Sequence, residues 1–227
     1  MARHIKEIPM LTLIHAPNSR STRILVLIDE MGIWDQIEIK SVDILRNDGS
    51  GRRDPANPHP EGKVPVLIHD GTVITESAAI MLYLTALFPD AGLAPKPGDP
   101  KRGEYLTWLF WYQGVLEPVM MAEVMGIKHP GFTRNFRGLA EIAGRLHTAL
   151  ERAGAAEKES ALQAGASQKG PWLCGDYSAA DLICASAFTF MPQLMPDDAL
   201  IKDWVARYQA RPALERAKGY DAALMVA

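Results

Sequence analysis

The sequence predicts an α/β domain followed by an all-α domain. Three observations carry this reading. Between residues 10 and 88, strand-like and helix-like patterns follow the order βαβ, an irregular segment, then ββα. Residues 89–100 hold four prolines and two glycines, a linker composition. Beyond residue 100 strand alternation stops and helical spacing takes over. The expected division is therefore 10–88, a linker at 89–100, and a helical domain at 101–227.

Each element follows from its residues. Residues 1–9 read as a loose leader, and Met10–His15 (MLTLIH) as a short apolar strand. Ala16-Pro17-Asn18 is a loop. Ser19 then caps a helix with apolar positions at Ile24, Leu25, Leu27, Ile28 and Met31, and Gly32 stops it. Ile37, Ile39 and Val42 make a second strand; strand, helix, strand implies a parallel crossover. Leu45–Glu61, rich in Gly, Pro, Asn and Arg, has no clear period and is read as irregular, with room for a short helix. Val64–His69 and Thr72–Thr75 flank Asp70-Gly71, a strong hairpin signal because the tight turn needs positive φ. Pro65 has no N–H for a ladder, so its strand is expected at an edge or irregular there. A helix follows from Glu76-Ser77, with Ala78, Ile80, Met81, Leu84, Leu87 and Phe88 on its apolar face.

In the second half, Asp99-Pro100 reads as a helix start, with Asp as cap and Pro at the first position. Lys101–Met125 is long and apolar, interrupted near Gly114 and Pro118. Thr133 to about Leu162 reads as one helix, and Gly165–Pro171 as a loop. Ser178 with Asp181 is a capping-box start for a helix through Phe188. Ala199–Ala210 is amphipathic, and Pro212 opens a short last helix.

Composition narrows the function. With 48% hydrophobic and 22% charged residues among 227, the chain is that of an ordinary globular protein. A net charge of −3, with Lys and Arg dispersed, gives no reason to expect nucleic acid. Cys174 and Cys184 are not spaced as a Cys-x-x-Cys pair, and no disulfide scaffold is implied. They read as buried hydrophobes. No group of His, Cys, Asp or Glu has metal-ligand spacing, so no metal is expected. The charged start lacks a signal-peptide core, and no run is long enough to span a membrane. A soluble cytoplasmic protein is expected.

The chemistry concentrates in Gly62–Ser77, GKVPVLIHDGTVITES. A cis Val64–Pro65 bond would turn the main chain of Val64 outward, ready to pair with an extended ligand. The helix start at Glu76-Ser77 suits a carboxylate, through free N–H groups and the Ser77 hydroxyl. Glu76 suits an ammonium. Together these fit the α-amino-acid end of a small peptide. The bland alternative is an ordinary hairpin and a capped helix.

GKVPVL followed by a turn and TESAAI resembles the glutathione-binding half of the cytosolic glutathione S-transferases. Pro171-Trp-Leu-Cys-Gly-Asp-Tyr-Ser-Ala-Ala-Asp181 resembles the capped helix of that family's helical domain, where Ser and Asp are structural. The resemblance implies a thioredoxin-like N-terminal domain that binds glutathione and an all-helical domain that lines the pocket for an electrophile. It implies that Val64, before Pro65, pairs with the cysteine backbone of glutathione, and that Glu76-Ser77 holds the γ-glutamyl end. The Cys-x-x-Cys site of thioredoxins is replaced here by Asn18-Ser19-Arg20-Ser21, which excludes dithiol chemistry at this position. Ser19 resembles the serine of the serine-type members, which sits just after the first strand, and implies a serine-type, bacterial-like member. The loop holds no tyrosine, which disfavours the tyrosine type, and no cysteine, which argues against the thiol-transfer branches.

Ser19 is the candidate that activates the thiol. A thiol of pKa ~8.5 is only a few per cent ionised at neutral pH, and a shift of about two units takes ~2.7 kcal/mol, within reach of one good donor plus a helix dipole. Ser21 and Asn18 are the nearest competitors, and Ser19 as a mere cap is the bland alternative. The chain departs from the family in Asn57-Pro58-His59-Pro60-Glu61-Gly62-Lys63, where extra residues precede Gly-Lys-Val-Pro. Lys63, His59, Arg52 and Arg53 are candidates for the glycine carboxylate, and Lys63 is retained. Trp108 and Tyr112 are the pocket candidates on a helix crowded with Phe110, Trp111, Met120, Met121 and Met125; bundle core or dimer interface is the bland alternative. The reading implied is a homodimeric glutathione transferase that joins the glutathione thiolate to hydrophobic electrophiles. The rivals are a non-catalytic binding or assembly module of the same fold, or another glutathione-dependent activity such as peroxide reduction, isomerisation or ether cleavage.

Overall fold

Four short stretches zip into one mixed sheet in the computed structural model, which describes residues 11–164 and 170–226. The expected leader, Met10 and most of the Gly165–Pro171 loop lie outside the described residues. In chain order the first elements are β1 (Leu11–His15), α1 (Thr22–Met31), β2 (Ile37–Ser41), β3 (Val66–His69), β4 (Thr72–Thr75) and α2 (Ser77–Leu87). The later ones are α3 (Arg102–Trp111), α4 (Glu117–Val124), α5 (Pro130–Phe136), α6 (Leu139–Ala164), α7 (Ala179–Phe190), α8 (Ala199–Gln209) and α9 (Pro212–Val226). The chain divides into two compact units: residues through Leu84 together with those from Pro212 on, and Thr85–Arg211.

The first unit has the thioredoxin-like arrangement. Strand order is β2-β1-β3-β4, with β1 parallel to β2 and antiparallel to β3. β1 lies inside the sheet and is buried at all five positions, which is why LTLIH reads as a continuous apolar run rather than an alternation. β4 is an edge strand, exposed at Thr72 and Val73. The β3–β4 turn sits at Asp70 (φ 47°) and Gly71 (φ 79°), both left-handed as the Asp-Gly signal requires. The proline conflict is resolved by position. β3 is an interior strand, but it begins at Val66, so Pro65 precedes the ladder. One core cluster joins Ile14, Ala16, Val42, Val64 and Val66. Residues 42–63 form turns and bends without a helix. The last helix is 15 residues long, not short, and packs along α1. Arg216 of α9 clasps Asp29 of α1 through Nε at 2.8 Å and Nη2 at 2.5 Å. The sequence reading had grouped these residues with the helical half.

The named elements of the second unit are helices, with isolated β-bridges joining Trp172 to Gly175 and Cys174 to Asp176. α3 starts at Arg102 rather than at Pro100, though Asp99 still accepts the Lys101 N–H at 2.8 Å. The long apolar run is interrupted by a π-helical turn at Tyr112–Leu116, around Gly114. The single helix expected from Thr133 is two, because Arg137 turns left-handed (φ 63°) between α5 and α6. Asp181 fastens the start of α7. Its carboxylate accepts the Ser178 N–H (3.1 Å), the Ser178 hydroxyl (3.1 Å), the Leu173 N–H (2.8 Å) and the Trp204 indole N–H (3.0 Å). Burial pushes this carboxyl up to about 6 even against four donors.

Candidate functional site

Register alone gathers the candidate residues of the first unit. Ile14 of β1 lies opposite Val66 of β3, and Val66 lies opposite Thr75 of β4. β3 runs antiparallel to both neighbours. The segment leaving β1 (Ala16 to Ser19), the segment entering β3 (Lys63 to Pro65) and the start of α2 (Glu76-Ser77) therefore share one end of the sheet. This follows from hairpin chemistry and apolar register, not from long-range charge.

Val64 is 9% exposed, and its main chain belongs to neither ladder. The Val64–Pro65 bond is cis. Glu76 is exposed and left-handed at φ 70°, unusual for a residue with a Cβ. Such an outlier at the mouth of a helix costs of order 1–3 kcal/mol and points to function at that position. Ser77 begins α2 and is 4% exposed. Lys63 is exposed and paired with Glu61. Behind it, Asn57 and His59 are both buried. Asn57 accepts the His59 N–H (3.0 Å) and donates to the Lys63 carbonyl (3.1 Å), and His59 Nδ1 accepts the Glu61 N–H (3.0 Å). His59 is thus a brace for the lengthened loop.

The Ser19 loop is tightly bonded. α1 begins at Thr22, so Ser19 sits a turn ahead of it. Its half-buried hydroxyl accepts the Ser21 N–H (3.1 Å), lies 2.6 Å from the Ala16 carbonyl as donor, and lies 2.7 Å from the Ser21 hydroxyl. Ser21 occupies the cap position but does not use its hydroxyl on the helix. That hydroxyl accepts the Ala16 N–H (3.1 Å) and meets His15 Nδ1 at 2.8 Å. His15 Nε2 in turn lies 2.9 Å from Asp221 Oδ1, a close charge contact whose alignment falls short of hydrogen-bond geometry. Asp221 also accepts the Thr22 hydroxyl (2.6 Å) and the Asn18 N–H (2.9 Å) through Oδ2. Burial pushes the Asp221 carboxyl up, but the close His15 ring and the hydrogen bonds from Thr22 and Asn18 outweigh it, and the group rests below the usual carboxylate range.

His15, Ser21 and Asp221 are thus functional candidates that the sequence reading did not assemble. Two signals were present. His15 ends an otherwise apolar strand, and Asp221 falls on the buried stripe of α9 with Ala213, Leu214 and Ala217. Neither signal names the partner.

In the helical unit, Trp108 is 4% exposed and Tyr112 fully buried, so the Tyr112 hydroxyl is enclosed rather than presented at a surface. Trp108 helps line a groove of about 690 Å3 with Thr107, Arg145, Thr148 and Arg152. The Arg145 guanidinium sits over the Trp108 and Trp111 rings, 5.2 and 5.0 Å from their centroids. Among the described residues no cluster of His, Cys, Asp or Glu could hold a metal ion, and no helix is long and apolar enough to cross a membrane.

Residues 19–87 match the family model described as glutathione S-transferase, N-terminal domain. Over 54 residues, 23% of this chain and 21% of the relative, the sequence is 48% identical to Protein LigF of Sphingobium sp.. It is 34% identical over 118 residues to glutathione S-transferase 3 of Schizosaccharomyces pombe, covering 50% of this chain and 45% of that one. The chain thus spans less than half the length of these two relatives. The likeness continues through both units in a solved glutathione transferase from Methylococcus capsulatus. That match has 28% identity and a TM-score of 0.69, and covers 94% of this chain and 99% of that one. A model match that begins at the Ser19 loop and a structural likeness that runs on through the helices point the same way: residues 19–87 match a glutathione S-transferase N-terminal domain, and the chain shares its fold with a solved glutathione transferase.

Proposed function

We propose that this protein is a glutathione transferase that joins the thiolate of glutathione to hydrophobic electrophiles. The observation that supports the reading is the shared end of the sheet, at which the segments carrying Ser19, Val64 and Glu76-Ser77 leave or enter their strands. Val64 offers main-chain N–H and C=O to the cysteine portion of glutathione as an added strand. The start of α2 and the Ser77 hydroxyl receive the γ-glutamyl carboxylate, and Glu76 its ammonium. Lys63 answers the glycine carboxylate once it leaves Glu61. Ser19 then faces the sulfur.

Catalysis on this reading is thiolate generation plus proximity. The Ser19 hydroxyl donates to the sulfur and favours its ionised form. The thiolate attacks the electrophilic carbon, the new C–S bond forms, and the leaving group departs with the electron pair. The electrophile candidates remain Trp108, which is buried but borders a groove of the helical unit, and the enclosed Tyr112. A homodimer is the expected assembly.

The test is ultraviolet titration of bound glutathione in the wild type and in Ser19→Ala. The thiol should ionise about two units below its ordinary ~8.5 in the wild type, and the substitution should return most of that shift. Binding with an unshifted thiol would favour a non-catalytic module. Turnover against a panel of aryl halides, epoxides, peroxides and aryl ethers then separates transfer from other glutathione chemistry.

A further inference from the structure

The thiol must lose its proton somewhere, and the reading above leaves the acceptor unnamed. Ser19 is a poor final acceptor, since a hydroxyl can only pass a proton on. Behind it, however, stands a continuous buried path: Ser19 Oγ to Ser21 Oγ at 2.7 Å, Ser21 Oγ to His15 Nδ1 at 2.8 Å, and His15 Nε2 to Asp221 Oδ1 at 2.9 Å. His15 and Ser21 are 0% exposed and Asp221 is 2% exposed. A histidine and a carboxylate in contact inside a core, joined by two hydroxyls to a half-buried serine, is an expensive arrangement to keep for packing alone.

We propose that His15 is the proton acceptor for the glutathione thiol, reached through Ser19 and Ser21, with Asp221 fixing its tautomer and holding the resulting imidazolium. The inference rests on the glutathione reading given above. The orientation is set from the buried end. An ionised Asp221 beside Nε2 requires a proton on Nε2, because a bare ring nitrogen would set lone pair against lone pair. Nδ1 of the neutral ring is then an acceptor, Ser21 donates to it, and Ser19 donates toward Ser21 or the Ala16 carbonyl. Ser19 turns a lone pair outward in this state.

When the thiol arrives it donates to that lone pair. The S–H bond breaks and its proton joins Ser19 Oγ. The former Ser19 proton passes to Ser21 Oγ, and the former Ser21 proton to Nδ1. The charges balance: one thiolate and one imidazolium replace one thiol and one neutral ring. Every hydrogen bond in the chain now points the other way, so Ser19 donates to the sulfur, as thiolate stabilisation requires. No proton leaves the protein. His15 and Asp221 do not touch the substrate and are positioning residues for Ser19. Thr22 and Asn18 hold Asp221 Oδ2, which keeps Oδ1 on the ring. Tyr220 packs edge-on against the imidazole at 6.2 Å.

Proton counting tests this in the unaltered protein. Reduced glutathione is titrated in by calorimetry at neutral pH in two buffers of different ionisation enthalpy, and thiolate is read in parallel by ultraviolet absorbance. The relay predicts thiolate with far less than one proton released per site. It also predicts that Nδ1 of nitrogen-15-labelled His15 gains a proton on binding. His15→Gln and Ser21→Ala should each lower the thiolate fraction about tenfold, a one-unit shift. Both should still bind S-methylglutathione, which has no proton to give, about as tightly as the wild type. Thiolate formed with one full proton released, or unchanged by these substitutions, overturns the relay and leaves the transferase reading standing. Glutathione bound without thiolate in the wild type overturns both.

Discussion

A serine hydroxyl has one proton, and at Ser19 that proton has two protein claimants within 2.7 Å before any ligand arrives. The function proposed for Ser19 therefore depends on its neighbours, which makes single residues informative to alter. Cys174 is the counterexample of an inert group. Burial, aided by the charges of Asp181 and Glu104, pushes its thiol up to about 12. Cys184 is fully buried. Neither thiol should react with an aromatic disulfide reagent at pH 8 in the native state, and both should react on unfolding; rapid native labelling would contradict the burial. Gly51 is a third case. Its φ is +73°, and a Cβ there would fall 2.1 Å from the Ile44 carbonyl oxygen. Gly51→Ala should cost about 1–3 kcal/mol by denaturant titration, through backbone strain in the irregular segment after β2.

Among elements, the start of α7 and the last helix matter most. Asp181 is wholly buried with four donors, so Asp181→Ala should cost about 3 kcal/mol or more in urea unfolding, since those donors lose their acceptor together. Its pH signature runs opposite to that of most carboxylates. Asp181 is raised from 3.8 to about 6, so the folded state holds the proton more tightly than the unfolded chain. That contribution is complete below about pH 4 and is lost as pH rises through about 6, by roughly 3 kcal/mol. Asp221 and Asp29 act the other way, both lowered, and add stability that disappears as pH falls below the ordinary carboxylate range. Stability measured from pH 4 to pH 7 should fall less steeply in Asp181→Asn than in the wild type; parallel curves would refute the assignment. For α9, stopping the chain at Arg211 removes Asp221 and uncovers α1. The first unit should then lose its cooperative thermal transition, because Thr22, Asn18 and His15 lose a buried partner at once.

At the scale of the whole molecule, the ligand should leave a local footprint. In hydrogen exchange, glutathione should protect amides around residues 16–21, 63–66 and 76–78, the three segments that register brings to one end of the sheet. Protection confined to the helical unit would sink the proposed site.

The hairpin, the first crossover, the linker composition and the capping box were legible because each depends on neighbours a few residues apart. Asp-Gly demands a tight turn wherever it falls between apolar β-branched runs, and Ser178 meets Asp181 within one helical turn. The break at Arg137 was not legible, since a left-handed arginine has no compositional mark. Nor was the docking of α9 on α1, because an apolar stripe says that a face is buried but not against what. Asp221 meets Thr22 across 199 residues of chain. Local propensities, acting over a few residues, drew the elements and placed Ser19, Val64 and Glu76. The pairing that gives His15 a carboxylate, and Ser19 a path for a proton, was chosen only when the last helix closed over the first, because long-range contacts answer to shape and burial rather than to sequence spacing.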